Sequence, residues 1–277
     1  MIQTPAALSP DAATTRERYA RDGFAFPAAA VPAAMAHDAA RRVEAFLAGP
    51  QPRLAHPWHI KCHLLFDWLH AVVAHPAVLD AVETVIGPDI LLQSADLFVK
   101  PAHDRKQVNW HQDANYWGLE PFDVCTAWIA LTDATPENGC MRFMPSSHLA
   151  SKLAHVETYA EDSALTRGQQ IARAIDEAKT VPAILTAGEV SLHHCMLAHA
   201  SGPNRTASPR IGLAVRFLPP RVRQTEGPAM SAMPVRGEDR HGHFRVDEAP
   251  AGSMSAAAIA AHDRAMAPHA AAGYATT

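Results

Sequence analysis

The chain has 277 residues, 48% of them hydrophobic, with 24 Lys and Arg against 28 Asp and Glu and a formal net charge of −4. That suffices for one large core and a single domain over 1–277, and the mild acidic excess, with no long Lys/Arg run, excludes nucleic acid as the expected partner. No apolar run reaches the ~18 residues of a membrane span, the first residues lack the marks of a secretory signal, and Cys62, Cys125, Cys140 and Cys195 form no CxxC pair, so a cytoplasmic protein with reduced thiols is expected.

Helical patterns come first. Ser9, Pro10 and Asp11 are placed to cap a helix running through Arg16 to Arg21. Residues 33–47 set Met35, Ala39, Val43 and Leu47 at helical spacing and stop at Gly49-Pro50. Residues 71–85 give another helix, stopped by Gly87-Pro88, and the helical part covers about 1–88. The pattern then switches to β, with strands expected at 90–99, 124–131, 139–144, 181–185, 190–194 and 211–218, a core over about 89–220. Residues 164–179 read as a polar-faced helix inserted over one mouth of that core. A C-terminal tail covers about 221–277; from Pro250 it is rich in Ala and is expected to be weakly helical or mobile. No internal repeat or linker divides the chain.

The chemistry gathers in the β-rich part. In Trp110-His111-Gln112-Asp113, residues i and i+2 of a strand share a face, so His111 and Asp113 point one way and Gln112 the other. A second strand must supply a third ligand; His199 is the best placed, with His193 or His194 as the alternative. Two imidazoles and one carboxylate suit Fe(II) with open positions, whereas a structural metal site would close them. Arg210 follows on the next strand, and a guanidinium grips a carboxylate through two parallel charge-assisted hydrogen bonds that Lys cannot reproduce. Ser201 shares the face of His199 and is a candidate donor to the same carboxylate. Gln93 and Trp128 are further candidates for that pocket, as a buried amide and as an indole closing over the bound acid. Asn115 continues the face of His111 and Asp113, and Phe98, Trp117 and Arg216 are candidates for the substrate side.

These residues lie in longer stretches. Gln93-Ser-Ala-Asp-Leu-Phe98-Val-Lys-Pro leads into Asn109-Trp-His-Gln-Asp-Ala-Asn-Tyr-Trp117-Gly, then Val124-Cys-Thr-Ala-Trp128-Ile-Ala-Leu-Thr-Asp133. Pro136-Glu-Asn-Gly-Cys-Met-Arg-Phe-Met-Pro145-Ser-Ser-His148, Gly188-Glu-Val-Ser-Leu-His-His194 and His199-Ala-Ser-Gly-Pro-Asn-Arg-Thr-Ala-Ser-Pro-Arg210 follow. Over about 14–245 the chain closely resembles the phytanoyl-CoA dioxygenase family. The resemblance implies a mostly β fold with flanking helices, a double-stranded β-helix or cupin-like jelly roll. It also implies Fe(II), 2-oxoglutarate as cosubstrate and O2, and oxidation, most often hydroxylation, of a C–H bond of a small metabolite with release of succinate and CO2. His111, Asp113 and His199 would be the metal ligands and Arg210, at the family's offset from His199, the anchor of 2-oxoglutarate. Lys61 matches a lysine that family members place near the cosubstrate or substrate.

Two other classes compete with that reading. A zinc hydrolase uses a similar ligand set to activate water but has no need of Arg210 or of an O2 position. A non-catalytic cupin-like binding protein would tolerate a missing ligand, and none is missing. Within the family, halogenases replace the carboxylate ligand by Ala or Gly, whereas Asp113 keeps it. The expected partner is a small molecule, with no nucleic acid and no membrane, and the expected assembly a monomer or homodimer.

Overall fold

The computed structural model describes residues 12–160, 162–164, 168–227 and 229–271, so the expected cap at Ser9, Pro10 and Asp11 lies outside the described residues. Helices α1 (Ala12–Asp22), α2 (Ala33–Ala48), α3 (Asp67–Val73) and α4 (Pro76–Ile86) precede most of the strands; α5 (Ala114–Trp117) is a single turn and α6 (Ala256–Ala271) comes last. The strands of the two main sheets are β1 (Phe24–Ala30), β2 (Ile90–Lys100), β3 (Val108–His111), β4 (Cys125–Ala130), β5 (Met141–Phe143) and β6 (Val181–Pro182). They continue with β7 (Glu189–His194), β8 (His199–Ser201), β9 (Arg210–Leu218), β10 (Ser231–Arg236) and β11 (Arg245–Val246).

The larger sheet has the order β1-β7-β4-β9-β2-β10-β11 and the smaller one β3-β8-β5-β6. Two facing sheets with these crossovers form the jelly roll. Period-two alternation decides which side chains each face receives. On β9, Ile211, Leu213, Val215 and Phe217 join the main core, together with Cys125, Ala127 and Ile129 of β4 and Leu92, Ala95 and Leu97 of β2. That core continues into α2, α3 and α4 through Val43, Leu69, Val72, Val78 and Val82. The alternate residues, Arg210, Ala214 and Arg216 of β9, Thr126 and Trp128 of β4, and Asp96 and Phe98 of β2, line a cavity on the opposite face.

Several expectations need correction. The helix expected over 71–85 is two helices, because Pro76 has no N–H to donate and its ring opposes the preceding turn. His75 caps the second helix by accepting the Ala77 N–H at 3.2 Å. The helix expected over 164–179 is absent among the described residues: Gln169–Ile171 is a strand paired with His155–Glu157, and Glu177–Lys179 is one 3-10 turn capped by Asp176. The polar periodicity there came from a solvated hairpin. Inside the helical part, β1 forms the edge of the large sheet, paired with β7; its Ala-rich sequence carries little β signal, and pairing decides it. Past 220, β10 joins the large sheet beside β2, and α6 is a 16-residue helix with Pro268 inside it and Ala258, Ala265 and Met266 buried. Among the described residues, no single helix is long and apolar enough to cross a membrane.

Candidate active site

The ligand candidates meet where β3 and β8 pair, with His111 opposite His199 in register. One ligand atom from each of His111, Asp113 and His199 lies within 4.8 Å of the others. Asp113 Oδ1 is 3.4 Å from His111 Nε2 and 3.9 Å from His199 Nε2. The route to this geometry differs from the expected one. β3 ends at His111, and Asp113 (φ −57°, ψ −43°) opens the turn of α5, so a strand end folding into a helical turn brings the two side chains together. Gln112 pins that turn: its Nε2 donates to the Met196 carbonyl and its Oε1 accepts the Leu153 N–H, both at 2.7 Å. The same turn corrects the expectation for Asn115, which sits on α5 and not on a continued strand face, outside the cavity lining.

The donor set fits a divalent cation. Nδ1 of His111 meets the Asn109 carbonyl at 2.8 Å and Nδ1 of His199 the Leu197 carbonyl at 3.0 Å. A carbonyl only accepts, so each Nδ1 carries the proton and each Nε2 lone pair faces the cavity, the tautomer a metal ligand requires. Burial, then His111, pushes the His199 imidazole down to about 3, keeping it neutral. Burial by itself would raise the Asp113 carboxyl, but His199, His111 and His193 together hold it well below the usual carboxylate range. The set offers two imidazole Nε2 atoms and one carboxylate. His193 also lines the cavity, with Nε2 3.8 Å from Asp113 Oδ2, but its buried Nδ1 has no partner to orient the ring as a ligand.

One end of the cavity is lined by Arg210, with the cation Lys100 beside it behind the lining residue Ser201. Arg210 of β9 and Lys100 of β2 are register partners, only 2% and 3% exposed. Lys100 Nζ donates to Ser201 Oγ at 2.8 Å and to the Gly202 carbonyl, and Arg210 Nη1 donates to the Gly139 carbonyl. These acceptors are neutral, and Arg210 Nε is buried without a partner. Burial, then the neighbouring Arg210, lowers the Lys100 amine to about 7; burial lowers Arg210 to about 10, leaving it charged at neutral pH. Trp128 forms the wall beside Arg210, whose guanidinium lies 5.4 Å from the ring centroid. Gly212 makes that possible, since a Cβ there would run into the indole.

The other candidates are dispersed. Trp128, Ser201, Phe98, Trp117 and Arg216 line the cavity. Gln93 does not; it is buried at a step in the β2/β9 register and accepts from Arg216 Nη1 at 2.5 Å. Lys61 points elsewhere: its fully buried ammonium donates to Asp247 at 2.8 Å and to Ser231, a tie between the N-terminal part and the last strands. Lys100, Asp96 and Thr126 escaped the sequence reading. For Lys100 and Asp96 the signal was available, because both alternate with Phe98 along β2.

Comparison with known proteins agrees with this architecture. The model of the family described as phytanoyl-CoA dioxygenase (PhyH) matches residues 19–212. A probable alpha-ketoglutarate-dependent hypophosphite dioxygenase of Stutzerimonas stutzeri is 29% identical over 188 residues, 66% of this chain and 60% of that protein. The human peroxisomal phytanoyl-CoA dioxygenase is 27% identical over 146 residues, 51% of this chain and 43% of that protein. The matched part therefore spans less than two thirds of either relative's length. Among solved structures, the apo form of ThoJ, a non-heme monooxygenase, superposes with a TM-score of 0.81 at 38% identity, covering 93% of this chain and 96% of that one.

Proposed function

Because the chain belongs to the phytanoyl-CoA dioxygenase family, we propose that it is an Fe(II)- and 2-oxoglutarate-dependent dioxygenase that hydroxylates a C–H bond of a small metabolite. The observation that carries this reading is the convergence of His111, Asp113 and His199 to within 4.8 Å, both Nδ1 atoms being held by backbone carbonyls. These three residues would hold the iron. When bound, iron and 2-oxoglutarate supply the oxidising power for C–H oxidation by O2, with succinate and CO2 as by-products.

The protein's own residues bind, orient and exclude water. Arg210 and Lys100, with neutral acceptors only, would take the distal carboxylate of 2-oxoglutarate in charge-assisted hydrogen bonds. The Ser201 hydroxyl, held by Lys100, would join them. Trp128 walls that end of the cavity and keeps water from the carboxylate. Asp113 supplies the anionic ligand whose absence a halide would need, so oxygenation is favoured over halogenation. A zinc hydrolase would have no use for the paired cations at Arg210 and Lys100. The protein acts alone or as a homodimer; its four cysteines are buried free thiols, in keeping with a cytoplasmic location.

The test is anaerobic titration of the purified protein with Fe(II) and then 2-oxoglutarate. One Fe(II) per chain and the weak visible band of the chelate are expected, and His199→Ala should remove both. Turnover with Zn2+ and without O2 would overturn the reading, and a His199→Ala protein that kept the band would move the third ligand to His193.

A further inference from the structure

Arg210 has a counterpart at the other end of its strand. Arg216 projects from the same inner face of β9, beyond Gly212 and Ala214, and at ~3.3 Å per residue the two arginines stand on the order of 20 Å apart. The Arg216 side chain is 15% exposed and is mostly unsatisfied. One of its five N–H donors reaches Gln93 Oε1 at 2.5 Å. Its Nε is buried with no partner, and Nη2 stops 3.8 Å from Asp96 Oδ2, beyond hydrogen-bond reach. Asp96 is thus an ion-pair partner of Arg216 through Oδ2 and not a hydrogen-bond partner, while its Oδ1 accepts from Ser94 Oγ at 2.5 Å and from the Lys61 N–H at 3.2 Å.

Trp117 fixes the guanidinium in place. The Arg216 carbon lies 3.7 Å from the Trp117 ring centroid, which holds the flat face and leaves the N–H edge for something else. Burying a cation with most of its donors unused is unfavourable unless an acceptor comes to meet it. Arg210 carries the same signature: one hydrogen bond, an orphaned Nε, and a tryptophan against the guanidinium. Arg216 is also next to the reacting centre. Thr126 is its register partner, and Thr126 Oγ1 is 3.4 Å from Asp113 Oδ2. The apolar part of the cavity lining is Phe98, Val108, Met141 and the aromatic rings of Tyr116 and Trp117; of these Trp117 lies against Arg216, whereas Val108 and Met141 are register partners of Ser201 toward the Arg210 end.

We propose that Arg216 is a second anion-binding site, which holds a carboxylate of the prime substrate, so that the enzyme acts on an acid with an apolar or aromatic body. This rests on the reading of Arg210 as the cosubstrate anchor: one strand then carries both carboxylate sites, with the metal ligands over the cavity between them. The substrate's charged end would be fixed at Arg216, and its apolar body would lie along the wall toward the metal.

The experiment uses anaerobic protein loaded with Ni(II) and saturated with 2-oxoglutarate. Phenylacetate, phenylacetamide and phenyl phosphate are titrated by calorimetry and ligand-observed NMR. Phenylacetate is expected to bind at least ~10-fold more tightly than its amide, and Arg216→Gln to weaken phenylacetate about 10- to 100-fold while 2-oxoglutarate affinity stays within about twofold. Asp96→Asn keeps an acceptor for Ser94 and Lys61 but removes the competing charge, and should tighten phenylacetate; no tightening counts against the site, even if Arg216→Gln fails to fold. Equal binding of acid and amide overturns the proposal. So does a clear preference for phenyl phosphate, which would make this a phosphate site. Loss of 2-oxoglutarate in Arg216→Gln with phenylacetate unchanged would make Arg216 the cosubstrate anchor instead. If wild-type protein takes up neither Ni(II) nor 2-oxoglutarate, the oxygenase reading itself falls, and this inference with it.

Discussion

Lys100 and Arg210 face each other across β2 and β9 as register partners, two buried cations side by side whose hydrogen bonds go only to neutral oxygens. Like charges so placed disfavour each other, and burial removes the water that would screen them. An anion arriving between them relieves both costs. This relationship, more than Arg210 alone, marks the expected seat of the 2-oxoglutarate carboxylate.

Affinity for 2-oxoglutarate should depend on pH through Lys100. Burial, and then Arg210, lowers its amine to about 7, with Asp104 and Cys140 pulling the other way. A bound carboxylate favours the ammonium form, so the complex takes up a proton at higher pH. Binding should weaken as pH rises above about 7, by up to ~10-fold per unit. Calorimetry on Ni(II)-loaded protein at pH 6.5, 7.5 and 8.5, values chosen to bracket the amine at roughly one-unit steps, measures it; a flat profile would detach Lys100 from the cosubstrate, and Lys100→Met should flatten it. Without cosubstrate the sign reverses. The folded pKa lies below the unfolded one, so the unfolded chain binds more protons, and the Lys100 contribution to stability should rise with pH from about 7 toward 10.

Arg210→Ala should cost on the order of 2–4 kcal/mol in 2-oxoglutarate binding, roughly 30- to 1000-fold. The loss should fall on the Michaelis constant for 2-oxoglutarate and leave Fe(II) affinity nearly unchanged, since the Arg210 guanidinium is held by the Gly139 carbonyl and the Trp128 ring. Unchanged cosubstrate dependence would transfer the role to another cation.

Gly212→Ala tests the Trp128 wall. A Cβ at this position meets Cζ2 of the indole, which is only 4% exposed and has little room to retreat. Overpacking of this kind costs about 1–3 kcal/mol in stability. The displaced ring should also reach Arg210, raising the Michaelis constant for 2-oxoglutarate. Thermal unfolding and steady-state kinetics read the two effects; a variant with native values for both would show that Trp128 moves freely.

Lys61→Met should act on stability. The substitution leaves Asp247 without its 2.8 Å ion-pair partner at a site where the lysine is fully buried and the carboxylate nearly so. Breaking such a pair typically costs about 3–5 kcal/mol. The double variant Lys61→Met/Asp247→Leu should recover much of that loss in denaturant melts. A specific loss of 2-oxoglutarate affinity in Lys61→Met would return this residue to the cosubstrate pocket.

The sequence by itself carried the chemistry and the alternation. Ligand types at His111, Asp113 and His199 are local facts, and period-two patterning along 211–218 and 124–131 already separates a core face from an inner face. Only the tertiary structure decided which residues meet. That Lys100 stands beside Arg210 depends on the β2/β9 register, between segments over a hundred residues apart, which no local pattern encodes. That Asp113 reaches His111 through a helical turn depends on Gln112 being anchored to Met196 and Leu153. From the sequence, Lys61 is expected at the site because it matches a lysine that members of the resembled family place near the cosubstrate or substrate; its partner Asp247 comes from the far end of the chain and turns it into a buried tie. Side-chain direction follows from short-range geometry, whereas the partner a buried charge finds follows from how the whole chain packs.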